Sequence, residues 1–198
     1  MEDIDNTHAS FSITPYQPAH RGTVRWIIDT TLGVGYLGNL DIWVTQDQMI
    51  PRVAVSDDAV VGFGIAQMAT PDFVEPIMGN LGHEQSNELL QAVRDNTLGV
   101  IQTVVVAPGH QRSGVGSRLG QELETELWIA GAEWFLAPTW ESPEGINSKV
   151  PLLQAGYSEL VKIPAYWQTA CESGQFICPS RTTSCQCNAV FYSKITSS

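Results

Sequence analysis

The sequence predicts one mixed α/β domain, α+β in layout: a mostly antiparallel central sheet of about six or seven strands, flanked by helices and containing one βαβ crossover. Three observations carry this. Two β-branched runs, Arg52 to Ser56 and Val60 to Met68, are joined by Asp57-Asp58-Ala59, the pattern of an antiparallel hairpin. Leu98 to Val106, a glycine-bearing loop, an amphipathic helix and Trp134 to Thr139 follow one another, and such a strand-helix-strand succession lays its two strands parallel in one sheet. With 198 residues, 43% apolar and 16% charged, the chain can bury one core but would be cramped as two domains.

Each element has its own signal. Residues 1 to 10 are polar and expected to be disordered, and Phe11 to Tyr16 alternates as a first strand. Pro18 opens a helix whose apolar positions Val24, Ile27 and Ile28 recur at helical spacing before Gly33 and Gly35 stop it. A weaker helix is expected over Asn39 to Met49. The Pro- and Gly-rich stretch 71–97 reads as an insertion carrying one helix near Glu84 to Arg94, and inserted loops at a sheet edge often shape substrate pockets. Leu98 to Val106 is the strongest strand in the chain, ending at Ala107-Pro108-Gly109. Val115, Leu119, Leu123 and Leu127 then recur every four positions between polar residues, which predicts a helix from Gly114 to Gly131. Pro143 to Ala155 is expected as a short helix, and Ser158 to Ile163 and Asn188 to Ile195 as the last strands, the final one within a Cys-containing segment 168–198.

Composition narrows the partners. A net charge of −11, from 21 acidic against 10 basic residues, disfavours a nucleic-acid-binding surface. The acidity reads as a solubility feature or as a preference for a cationic acceptor. No run approaches the ~18 to 20 apolar residues of a membrane span. The N-terminus Met1-Glu2-Asp3-Ile4-Asp5 is acidic where a secretory signal would be basic, so cytoplasmic residence is expected. A homodimer is left open.

The chemistry concentrates at Val104-Val105-Val106-Ala107-Pro108-Gly109-His110-Gln111-Arg112-Ser113-Gly114-Val115-Gly116-Ser117. A tight turn from strand into helix leaves the first helical N–H groups unpaired, and glycines let a phosphate oxygen reach them. Arg112 and Arg118 add positive charge where a diphosphate would need it. A Walker A loop is disfavoured, because Val115 and Gly116 stand where its Lys and Ser/Thr would be. A dinucleotide fingerprint fails as well, since Leu119 replaces its third glycine.

What fits is Gln-x-x-Gly-x-Gly, as Gln111-Arg112-Ser113-Gly114-Val115-Gly116, after Val-Ala-Pro and before an amphipathic helix. This resembles the acyl-CoA loop of the GNAT superfamily of N-acetyltransferases. The resemblance implies a GNAT-like fold spanning most of the chain, with acetyl-CoA as co-substrate. It implies that amides of residues 111 to 117 hold the CoA diphosphate, while a splayed strand ending at Val104, Val105 and Val106 binds the pantetheine arm. Asn147 and Ser148, ahead of Ala155-Gly156-Tyr157, would lie beside the pantetheine. The implied reaction is direct attack by a primary amine of a small molecule or peptide on the thioester in a ternary complex, with the carbonyl polarised by the Val106 backbone N–H. The alternative is an acyl-CoA-binding sensor or interaction module without turnover.

The family often carries a Glu on the strand before the loop and a Tyr before the Gly-Tyr pair, and these positions hold Gln102 and Leu152. Candidate replacement bases are Glu141, after the opposite strand, then Asp72, Glu75 and His83. Tyr157, Tyr166 and Trp167 are candidates for an acceptor pocket or for packing. All four cysteines, Cys171, Cys178, Cys185 and Cys187, fall in one short window. A cytosolic thiol cluster more often means metal than disulfide, although no Cys-x-x-Cys pair is present. The window is similar to Cys-rich tails of acetyltransferase-like sequences, which makes the four a candidate structural zinc site; reduced thiols under the last strand are the alternative.

Overall fold

Alternating β-branched and aromatic residues make seven strands, which pair into one sheet in the order β1-β2-β3-β4-β5-β7-β6. The computed structural model describes residues 10–38, 40–142, 145, 148–175, 177–179, 185 and 187–196. The strands are β1 (Ser12–Pro15), β2 (Met49–Ser56), β3 (Ala59–Met68), β4 (Leu98–Val106), β5 (Trp134–Glu141), β6 (Ser158–Ile163) and β7 (Asn188–Ile195). Only β4 and β5 run parallel; the other neighbours are antiparallel, as the sequence predicts. Residues 1–9, expected to be disordered, lie outside the described residues.

Seven α-helices complete the described fold: α1 (Arg21–Thr31), α2 (Leu40–Thr45), α3 (Pro71–Met78), α4 (His83–Arg94), α5 (Val115–Ile129), α6 (Lys149–Gln154) and α7 (Gln168–Glu172). On β3, Phe63 and Ile65 pack with Val24, Ile27 and Ile28 of α1 on one face of the sheet. Gly62 and Gly64 face α5 on the other, where an added Cβ would come within 3.0 Å of Leu119 and Val115 and 2.8 Å of Leu123. Glycine there lets α5 lie directly on the strands.

Several boundaries differ from expectation. The helix expected over 39–49 is only the short α2, and β2 begins at Met49, upstream of Pro51. Pro51 is tolerated because β1 ends at Pro15, so its missing N–H deprives no partner strand. The hairpin turn is Asp57-Asp58, both with positive φ (48° and 62°), and Ala59 already belongs to β3. The stretch 71–97 holds two helices where one was expected. Val74 and Ile77 of α3 and Leu89 of α4 are buried against Leu98, Val100 and Phe191, making this stretch a core layer. Pro76 inside α3 interrupts the helical signal, whereas Pro71 at its first turn favours the start. The helix expected over 143–155 is observed as α6, and residues 143, 144, 146 and 147 lie outside the described residues. No described helix is long and apolar enough to cross a membrane.

Candidate active site

β4 and β5 hydrogen-bond only at their beginnings, where Leu98, Gly99 and Val100 match Trp134, Phe135 and Leu136. Beyond that point β4 stays with β3 as far as Val106, and β5 stays with β7 as far as Glu141. The two parallel strands therefore part, and β4 from Ile101 to Val106 has no strand on its β5 side. An open strand edge in the middle of a sheet is a template for an extended ligand that offers amides.

At the end of β4 the chain makes a 3-10 turn over Pro108–His110 and enters α5. Arg112 and Gly114 both have positive φ, 61° and 87°, which tightens the loop. The first helical bond runs from the Arg118 N–H to the Gly114 carbonyl, so the N–H groups of Val115, Gly116 and Ser117 precede the helical ladder. Residues 111–114 are exposed, and nothing lies within 4 Å of a Cβ built at Gly109 or Gly114. The Gln111 side chain donates to the Val106 carbonyl at 3.2 Å, and the Ser113 hydroxyl donates to the His110 carbonyl at 2.6 Å. These two polar side chains are thus used to shape the loop, which leaves main-chain amides as its exposed donors. Open space, free donors at a helix N-terminus and an adjacent strand edge fit the diphosphate and pantetheine of coenzyme A.

On the α1 face of the parting strands lies a cavity of about 510 Å³. The β3–β4 register shifts at Ile65/Ala66, opposite Thr103 and Ile101, so β4 bulges at Gln102 and both Gln102 and Thr103 line the cavity. Tyr36 and Trp43 come from the α1–α2 region, Phe73 from α3, and Tyr166, Trp167 and Phe191 from the C-terminal third. The Tyr166 ring packs edge-on against Trp167 at 5.1 Å and Phe191 at 5.9 Å. No Asp, Glu, His, Lys or Arg is among the described lining residues. Burial pushes the Tyr36 hydroxyl, hydrogen-bonded with Thr103, up to about 12, and burial also raises Tyr166. The Gln102 Oε1 is buried with no hydrogen-bond partner in the protein.

The sequence candidates divide. Tyr166 and Trp167 line the cavity, but Tyr157 does not: it is buried on the α5 face and donates to Glu124 at 3.0 Å. Burial first, then Glu124, drives its hydroxyl far above the ordinary tyrosine range. Glu141 is also spoken for. It pairs with Lys162 and accepts from Asn188 Nδ2 at 2.6 Å, and these bonds lower its proton affinity, the reverse of what a base needs. Asn188 Oδ1 in turn accepts from the Ala165 N–H at 3.2 Å, so Glu141 anchors the turn that presents Tyr166. Asp72, Glu75 and His83 are exposed and do not line the cavity. Ser148 precedes α6 and makes no side-chain cap bond, while Asn147 lies outside the described residues. Tyr36, Trp43, Phe73 and Phe191 carry no local signal for a site, because their side chains meet only through topology.

The model of the acetyltransferase (GNAT) family matches residues 25–137. No curated protein matches the sequence significantly. Among solved structures, the chain is similar to yncA from Salmonella typhimurium, solved with its cofactor acetyl-CoA: TM-score 0.64, 13% identity, covering 96% of this chain and 95% of that one. It is also similar to a ribosomal-protein-alanine N-acetyltransferase from Brucella melitensis, with TM-score 0.62 and 16% identity over 93% of this chain and 99% of the other. For the ribosomal-protein-S18-alanine N-acetyltransferase from Escherichia coli the TM-score is 0.62 and the identity 13%, over 96% of both chains.

Proposed function

The chain belongs to the GNAT family of acetyltransferases, and from that premise we propose that it passes an acetyl group from acetyl-CoA to a primary amine of a small molecule or peptide by direct attack in a ternary complex. The observation that carries the reading is the parting of β4 and β5 beside an exposed glycine turn. Amides of residues 111 to 117 hold the diphosphate, and the free edge of β4 at Val104, Val105 and Val106 takes the pantetheine, with the Val106 N–H polarising the thioester carbonyl. The amine enters from the aromatic cavity, which brings it to the same gap from the α1 face.

The cavity lining suggests the acceptor class. Six aromatic rings and no charged side chain among the described lining residues favour an amine on an apolar or aromatic body. With no base there, the nucleophile is the free amine, and catalysis comes chiefly from holding it against the thioester, an effect of roughly 7–11 kcal/mol in good cases. Glu141 takes no part in proton transfer. Cytoplasmic residence belongs to the same reading and is in keeping with four free thiols.

Thiol release from acetyl-CoA with a panel of apolar and aromatic amines tests the reaction. The uncharged cavity, with Gln102 and Leu152 at the usual acid–base positions, favours one rival: a sensor that binds the coenzyme without turnover. Coenzyme binding with no release for any amine would leave only that rival. Gly114→Asp tests the loop separately. A carboxylate in the open turn is expected to weaken acetyl-CoA by about tenfold or more on calorimetry, while the uncharged, similarly shaped Gly114→Asn loses less. Unchanged affinity in Gly114→Asp would remove the site assignment.

A further inference from the structure

We propose that Cys171, Cys178, Cys185 and Cys187 together bind one zinc ion, which staples the C-terminal segment onto the sheet. The Sγ atoms of Cys171, Cys178 and Cys185 all lie within 4.8 Å of one another. The fourth thiol, Cys187, lies outside this triangle; burial raises its pKa, the thiols of Cys178 and Cys185 are near enough to raise it further, and it also meets Trp140. The four come from separate places, α7, the 177–179 stretch and the approach to β7, so the grouping is made by the fold and not by a short motif.

All four are free thiols. Three sulfurs in one mutual triangle is an arrangement that two separate disulfides do not require. With Zn–S near 2.3 Å the sulfurs of a tetrahedral site sit about 3.8 Å apart, so Cys171, Cys178 and Cys185 need to contract by about 1 Å at most, and the ion draws Cys187 in from outside that triangle. Borderline-soft zinc suits an all-sulfur set. A hard cation does not.

The described part of the segment has little other burial. Among the described residues of 164–187, only Cys185 and Cys187 are fully buried, and α7 is five residues long. Apolar packing is confined to the start of the stretch, where Trp167 and Tyr166 rest on Phe191, and beyond it metal ligation would supply folding energy. The stretch nevertheless makes defined contacts. The Ile177 N–H donates to the Val34 carbonyl at 2.9 Å, and a Cβ on Gly33 would lie 2.1 Å from the Ile177 carbonyl oxygen. The ion thus fixes the wall that brings Trp167 and Ala170 to the cavity.

Elemental analysis of the full chain, purified without chelator, tests this independently of any activity. The expected result is about one zinc per chain, retained on desalting and released when a mercurial blocks the thiols. Cobalt(II) in its place is expected to show thiolate-to-metal charge transfer and the visible bands of a tetrahedral site. Cys178→Ser is expected to weaken zinc by at least about tenfold, with acetyl-CoA binding on calorimetry reporting that the rest of the fold persists. If that variant does not fold, the cobalt spectrum of the unaltered chain decides. A chain that keeps no metal after zinc incubation and desalting, lacks the thiolate band, or shows disulfides among these cysteines on a non-reducing peptide map overturns the proposal.

Discussion

Gln102 is an amide where an acetyltransferase of this family often has a carboxylate, and its Oε1 is buried without a partner. An amide can hold an amine or a water by a hydrogen bond but cannot take its proton. Tyr36, pushed up to about 12 by burial, stays protonated at neutral pH and cannot take it either. For the unaltered chain, log(kcat/KM) for an amine is therefore expected to rise with pH at a slope of about 1 until the amine's own pKa, and to track that pKa across a series of amines. Gln102→Glu installs a base in the cavity. It is expected to raise kcat at neutral pH by about tenfold or more and to move the acid limb to the new carboxyl; a profile unchanged by the substitution would show that residue 102 does not meet the amine. Glu141 behaves differently, because its bonds to Lys162 and Asn188 hold its pKa below the ordinary 4.5. The stability this contributes is present above that ordinary value and lost as pH falls through the lower folded one. Thermal melts of Glu141→Gln are thus expected to show a flatter decline than those of the unaltered chain as pH falls below the ordinary glutamate value.

Helix α5 owes its position to three glycines beneath it, and their substitution separates coenzyme binding from stability. A Cβ at Gly62 would lie 3.0 Å from Val115 and Leu119 and 3.2 Å from the Val105 carbonyl oxygen, so Gly62→Ala pushes on the first turns of α5. A Cβ at Gly99 meets Leu127 and Ala132 at 3.0 Å, under the far end. Both substitutions are expected to cost about 1–3 kcal/mol by overpacking, measured by denaturant unfolding. Only Gly62→Ala is expected to weaken acetyl-CoA as well, since it alone displaces the amides of Val115 to Ser117. Equal affinities in the two variants would argue that the helix start does not grip the diphosphate. Periodicity exposed α5 because its four buried residues are Val115, Leu119, Leu123 and Leu127. Two other helices stayed hidden for physical reasons. Pro76 breaks the pattern of α3, and α7 is one turn long with no buried residue of its own.

At the scale of the molecule, the strand, turn and helix start proposed for the coenzyme were legible as elements because they are contiguous, lying between residues 98 and 118. The cavity proposed for the acceptor was not. It draws Tyr36, Phe73, Gln102, Tyr166 and Phe191 from five parts of the chain, and the bulge that turns both Gln102 and Thr103 into it has no sequence signature. Its neutrality also bears on the acidity of the whole chain, −11 overall. With no carboxylate among the described lining residues, any preference for a cationic amine must act through space, from the surrounding surface. Such a field is screened over about 10 Å at 0.1 M salt, whereas a buried local charge is screened far less. KM for amines that are cations at the assay pH is therefore expected to rise severalfold from low to physiological ionic strength, and KM for zwitterionic or neutral-bodied acceptors of similar shape to stay level. If salt leaves both alike, the acidity serves solubility and the cavity selects by shape and apolar contact alone; if both rise together, salt is acting on the coenzyme side, which titration of acetyl-CoA at each ionic strength separates.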